Sequence, residues 1–169
     1  MPVGKVDVDL FELDGKDYTI TVNYFSNFWE IDRLEKKKHN FSTVINILKA
    51  YIALNGLPCV VSDNGPQFTL TNFENFTRNY GFEHRTLSLY NSKSNGKAES
   101  AVKTANALLR KNREGDKFLA LLNHRNTPSQ ATGTNPTQRF LNRRTRTLLP
   151  TTEKLLKHKV SLKLEKEKL

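Results

Sequence analysis

The chain has 169 residues, 37% of them hydrophobic, and a single cysteine, Cys59. That length suits one polar domain with a core of its own; a lone thiol excludes an internal disulfide framework and any Cys-pair zinc site, and no apolar run is long enough to span a membrane. The net charge of +10 is uneven: residues 1–100 carry 11 Lys/Arg against 12 Asp/Glu, whereas residues 101–169 carry 16 against 5, a basic half that favours a polyanionic partner, most often nucleic acid.

The opening residues contain no apolar h-region, so no secretory leader is expected. Val6, Val8 and Leu10 then alternate with Asp7, Asp9 and Phe11. Period 2 predicts a strand with one apolar face and one face carrying acids. Asp14-Gly15 is a hairpin turn signal. The β-branched and aromatic run at 18–25 predicts the returning strand, Ser26-Asn27 breaks it, and 28–34 reads as a third. After a polar connector at 35–40, Asn40 or Ser42 can cap a helix carrying Val44, Ile45, Leu48, Ile52 and Leu54, which ends near Asn55-Gly56. Pro58 introduces a short strand at 59–61, expected to bury Cys59. A strand, a helix and a strand in this order make a crossover, so the sheet becomes parallel there.

Thr71 or Asn72 can cap a helix through Phe73, Phe76 and Tyr80 that Gly81 stops, and 82–87 reads as a last strand. Residues 90–95 predict a polar, flexible loop. Helices follow at 95–112 and 118–125, with a third small one opening on Asn135-Pro136, Asn135 as cap and Pro136 in the first turn. The Lys/Glu/Leu-rich segment 153–169 reads as an amphipathic helix or a tail. The expected fold class is α/β: a mixed five-stranded sheet with helices on its faces, in which sites form beyond the carboxyl ends of the strands.

Asp63 falls at such an end. Asp9 lies on the first strand and Glu99 opens the alanine-rich helix, where Glu99, Lys103, Asn106 and Arg110 share one face and Ala98, Ala101, Val102, Ala105, Leu108 and Leu109 the other. Hard divalent cations take oxygen ligands, and a two-metal site needs few carboxylates if one bridges both ions. Three acids on rigid elements meeting at one point satisfy that requirement. Asp7, on the same strand face as Asp9, is a rival for the first position.

Three segments in order carry a resemblance: Asp9-Leu10-Phe11-Glu12-Leu13-Asp14-Gly15-Lys16, Ser62-Asp63-Asn64-Gly65-Pro66-Gln67-Phe68 and Ser94-Asn95-Gly96-Lys97-Ala98-Glu99. Together they resemble the catalytic core of retroviral-type integrases, closest to those of gypsy-type LTR retrotransposons. Asn123-His124-Arg125-Asn126-Thr127-Pro128, Asn135-Pro136 and Arg143-Arg144 are similar to the stretch that follows the catalytic helix in those elements. The resemblance implies an RNase H-like sheet of order 3-2-1-4-5. It implies a DDE triad of Asp9, Asp63 and Glu99, with 35 residues between the second and third acids as here, and two Mg²⁺ or Mn²⁺ ions. DNA contacts are implied at Asn64, Tyr90, Asn95 and Lys103. The implied reaction is metal-dependent polynucleotidyl transfer, with 3′-end processing and strand transfer of element DNA into target DNA by a homo-dimer or higher multimer. The expected place is nuclear or nucleo-cytoplasmic.

The expected organisation is a catalytic core with its helical extension over 1–149 and a basic tail over 150–169. Leu89 and Ser92 stand where relatives commonly carry prolines, which widens the loop's conformational range. Asn23 stands where gypsy-type relatives often have Asp. No upstream His/Cys zinc module or C-terminal DNA-binding module is recognisable, so a truncated element is expected. Two other readings are a catalytically silent, domesticated nucleic-acid- or protein-binding module, and an RNase H-like nuclease acting on another nucleic acid. His39, His84, His124 and His158 are scattered without zinc spacing.

Overall fold

A computed structural model describes residues 4–34, 41–56, 58–87, 96–130 and 132–157. The alternation at the start gives β1 (Lys5–Leu13), β2 (Lys16–Asn23) and β3 (Trp29–Leu34), an antiparallel meander. Asp14 and Gly15 turn the first hairpin with φ of 52° and 66°. Positive φ at both central positions matches the twist of the strands, and an Asp-Gly pair tolerates it. The second turn is built on Asn23, whose buried Oδ1 accepts the Ser26 backbone N–H (2.9 Å) and hydroxyl (2.8 Å). A neutral amide there meets both donors without burying a charge.

α1 (Phe41–Asn55) carries the chain to β4 (Cys59–Ser62), which runs parallel to β1. α2 (Pro66–Thr69) and α3 (Thr71–Tyr80) lead to β5 (His84–Thr86), parallel to β4. The five-stranded sheet has the order β3-β2-β1-β4-β5, as the resemblance implied. Val6, Val8 and Val60 send their side chains to one face, where Val44, Leu48 and Ile52 of α1 meet Phe68, Phe73 and Phe76. The aromatic rings pack edge to face, Phe68 on Phe73 at 5.4 Å and Phe73 on Phe76 at 5.8 Å. The other face is covered by α4 (Gly96–Lys111), through the buried row Ala98, Ala101, Ala105 and Leu109. Small residues along that row let the helix lie close to the strands. Leu109 closes a second apolar cluster with Leu13 and Tyr18, and Arg113 forks onto Asp14 in the first turn (2.6 and 3.0 Å).

Several local expectations are corrected. Pro66 starts a one-turn helix, α2, that the sequence reading did not separate. The N-cap of α3 is Leu70, without a side-chain bond, because α2 delivers the chain directly into α3; neither Thr71 nor Asn72 caps it. β5 is three residues, since the four-residue β4 offers no longer ladder. Cys59, at the strand's first position, is half-buried rather than buried.

The chain divides into two compact units, Met1–Arg113 and Glu114–Leu169. The second holds α5 (Lys117–Asn126), capped by Asp116, α6 (Pro136–Leu141), and α7 (Glu153–Leu156). Asn135 caps α6 as expected, in a full capping box: its Oδ1 accepts the Gln138 N–H (2.7 Å) and Gln138 Oε1 accepts its own N–H (3.3 Å). Its amide also donates to the Asn126 carbonyl (3.1 Å), tying α6 to the end of α5. Asn135→Ala should therefore destabilise this unit by about 1–2 kcal/mol, the upper part of the range for a lost cap, read as a lowered urea midpoint. Of the segment expected as an amphipathic helix or tail, residues 153–156 are helical and 158–169 lie outside the described residues.

Candidate active site

The register of the two central strands decides which acids can stand together. Val8 pairs with Ser62 at the end of the ladder, and Asp9 and Asp63 are the next residue on each chain, whereas Asp7 lies opposite Val61. Neighbouring strands are about 4.8 Å apart. The pleat sends Val8 and Ser62 toward α1, and Asp7 and Asp9 toward α4, which carries Glu99 in its first turn.

Asp9 is half-buried and its Oδ1 accepts the Leu10 N–H (2.8 Å). Burial pushes its carboxyl above the usual range, the Leu10 N–H pulls it down, and the charges of Asp63 and Glu99 push it up again. Asp9 is thus near enough to feel the charge of both other acids. Asp63 and Glu99 are exposed, and among the described residues no three His, Cys, Asp or Glu side chains are drawn together tightly enough to hold an ion. Asp63 Oδ1 accepts the Gly65 N–H at 2.9 Å. A Cβ on Gly65 would meet the ends of two side chains, Gln67 Nε2 and that same oxygen (2.9 Å), so a larger residue there would make one or both shift. As a donor set, three carboxylates whose repulsion a cation would reverse suit Mg²⁺ or Mn²⁺.

Asn64 is exposed beside Asp63, and Lys103 is exposed one turn after Glu99. Tyr90, Asn95 and the loop with Leu89 and Ser92 lie outside the described residues.

Three further groups organise the site. Asp7 is fully buried; its Oδ2 accepts the Ala98 N–H at 3.3 Å, and its Oδ1 has no partner among the described residues. Lys97 donates to the Tyr24 carbonyl and to Asn27 Oδ1 (3.2 Å), with its ammonium 4.8 Å from the Tyr24 ring centre. Residues 97 and 98 thus moor α4 immediately before Glu99. On the other side of the sheet, the Ser62 hydroxyl donates to the Asp63 carbonyl (2.9 Å), leaving its oxygen to accept from His84 Nε2–H (2.9 Å). Burial holds His84 below its ordinary pKa, and its ring packs against Phe73. Sequence reasoning treated Asp7 as a rival ligand and His84 as scattered. The chain offers no local signal for either role, because each partner lies 22 or 91 residues away.

No protein-family model matches the chain. It is 35% identical over 126 residues to the uncharacterised Caenorhabditis elegans protein K02A2.6; the match covers 68% of this chain and 10% of that protein. The chain therefore spans about a tenth of that relative's length. Among solved structures, the catalytic core domain of BIV integrase superposes with a TM-score of 0.71 at 20% identity, over 83% of this chain and 95% of that one. The simian T-cell lymphotropic virus intasome, solved in complex with PP2A regulatory subunit B56 gamma, gives 0.72 at 22% identity, over 90% of this chain and 58% of that one. At these identities the likeness establishes the fold, and at that level the resemblance read from the sequence is borne out.

Proposed function

We propose that this chain, which has the fold of a retroviral integrase catalytic core, is a metal-dependent polynucleotidyl transferase core that joins element DNA to target DNA. What supports the reading is that the β1–β4 register ends at Val8 opposite Ser62, one residue before Asp9 and Asp63, and that the charges of Asp63 and Glu99 are both felt at Asp9. Asp9, Asp63 and Glu99 would hold two Mg²⁺ or Mn²⁺ ions. Bound there, the ions would supply Lewis-acid activation of the attacking oxygen and charge stabilisation at the leaving one.

The chain's own residues do the rest. β1 and β4 fix two acids on rigid backbone; the moored start of α4 fixes the third. Lys103, exposed beyond Glu99, would meet a phosphate, and Asn64, exposed next to Asp63, would hydrogen-bond DNA. Tyr90 and Asn95 complete the proposed DNA contacts, Tyr90 by stacking on a base. A DNA 3′-hydroxyl gives up its proton to solvent as its oxygen attacks phosphorus in the target strand; the new P–O bond forms as the old one breaks, and the departing 3′-oxygen takes a proton from solvent. Assembly as a homo-dimer or larger multimer on the DNA ends belongs to the same proposal.

Calorimetric titration of Mn²⁺ into the metal-free chain tests it. Saturable binding at or below millimolar concentration, lost in Asp63→Asn, is expected. No heat up to that concentration would overturn the enzyme reading. It would leave a catalytically silent binding module with the same fold, a reading favoured by how the acids stand apart among the described residues.

A further inference from the structure

The unit Glu114–Leu169 has a groove of about 460 Å³ between the end of α5 and the segment 144–151. Its polar lining includes Asn123, Thr127, Arg144, Thr147 and Thr151, and among the described residues no Asp or Glu lines it. Arg144 is the unusual member. Its Nε–H is buried and has no hydrogen-bond partner among the described residues. A guanidinium is always charged and only donates, so a buried N–H of this kind calls for an acceptor, and an anion above all.

The backbone that carries this side chain is held in place. The Arg144 backbone N–H donates to the Leu155 carbonyl (2.9 Å). The next residue, Thr145, exchanges two bonds with the Asn126 side chain, Nδ2 to the Thr145 hydroxyl at 2.8 Å and the Thr145 N–H to Oδ1 at 3.3 Å. The backbone at 144 and 145 is thus fixed before any ligand arrives.

Charge agrees with an anion. Residues 114–157 carry eight Lys/Arg against three Asp/Glu. Hydroxyl and amide donors surround the fork, and exposed Leu149 adds apolar surface at the lip. The volume falls within the range of small-ligand clefts, enough for about one nucleotide unit. The larger groove between β3 and α1 is lined by Glu30 and Asp32 and would repel the same ligand.

We propose that this groove is a subsite for the phosphate backbone of a polynucleotide, with Arg144 as the fork that grips one phosphate and the Thr147 hydroxyl as a supporting donor. The subsite does not depend on catalysis and would serve a silent binding module equally.

Binding of a fluorescent DNA oligonucleotide to the full chain, followed by anisotropy in EDTA over a range of salt, tests it. Arg144→Ala should weaken binding by about tenfold or more and lower the salt slope by about one. Arg144→Lys should restore the slope and only part of the affinity, since a point charge lacks the fork. Arg146→Ala, at an exposed neighbour, should cost less than Arg144→Ala, and the presence of EDTA separates this site from the proposed metal-dependent triad. Phenylglyoxal labelling of the unmutated chain, read by mass spectrometry, should show Arg144 shielded by DNA, a readout independent of whether the variants fold. Arg144 remaining unshielded would overturn the proposal. So would an equal loss in the two Arg→Ala variants, or shielding by inorganic phosphate with none by DNA.

Discussion

Glu99→Gln should leave the fold intact and reduce Mn²⁺-dependent nicking and strand transfer on branched DNA by at least about 100-fold. Loss of an outer-shell partner of a metal ligand already costs about 10–100-fold, so loss of a direct ligand's charge should cost more. The substitution keeps shape and volume at an exposed position in the first turn of α4, where surface changes usually alter stability by less than about 0.5 kcal/mol. The mooring of the helix by Asp7 and Lys97 does not involve the Glu99 side chain. One consequence can be read without turnover. The Glu99 charge helps push the Asp9 carboxyl up, so in metal-free buffer Asp9 should titrate lower in Glu99→Gln than in the parent chain, as followed by carboxyl-carbon NMR. Combining Glu99→Gln with Asp63→Asn should cost little beyond either alone, because residues acting as one unit are non-additive. Undiminished nicking in Glu99→Gln would sink the assignment of the triad.

What was legible in the sequence follows from how local each cause is. The alternation of Val6, Val8 and Leu10 with Asp7, Asp9 and Phe11 fixes the faces of β1, because side-chain direction in a strand is set by adjacent residues alone. Asp14-Gly15 and the Asn135-Pro136 cap are likewise decided within four residues, and both stand as expected. The strand order came from a resemblance, since nothing in the chain says which strands pair beyond the first hairpins. The misjudged details have tertiary causes. Whether Thr71 caps depends on where α2 ends, and the length of β5 depends on β4. The reading of Asp7 shows the difference most clearly. Strand periodicity correctly put it on the face of Asp9, yet only the register against β4 and the approach of α4 separate an acid at the strand end from an acid beneath a helix.

That separation predicts opposite behaviour for the two carboxylates on mutation. Burial pushes the Asp7 carboxyl up to about 6, against the pull of the Ala98 N–H and of Lys5 and Lys97. An unfolded Asp ionises near 3.9. Between about pH 4 and 6 the folded chain therefore holds more protons than the unfolded one, so stability falls as pH rises through that window, and the full cost is present above it. Asp7→Asn removes the charge and keeps an oxygen for the Ala98 N–H. In metal-free buffer it should be more stable than the parent above pH 6 by about 1–3 kcal/mol. A shift of this size at about 1.4 kcal/mol per pH unit sets the ceiling, and the new amide N–H facing the unpartnered side lowers it. The difference should vanish below about pH 4, measured by urea unfolding across pH. Asp7→Leu deletes the acceptor altogether, strands the Ala98 N–H in the interior, and should destabilise at every pH. If Asp7→Asn is instead the weaker protein at pH 8, the carboxylate's attraction for the first turn of α4 outweighs the cost of burying it. The charge would then be part of what holds Glu99 in place.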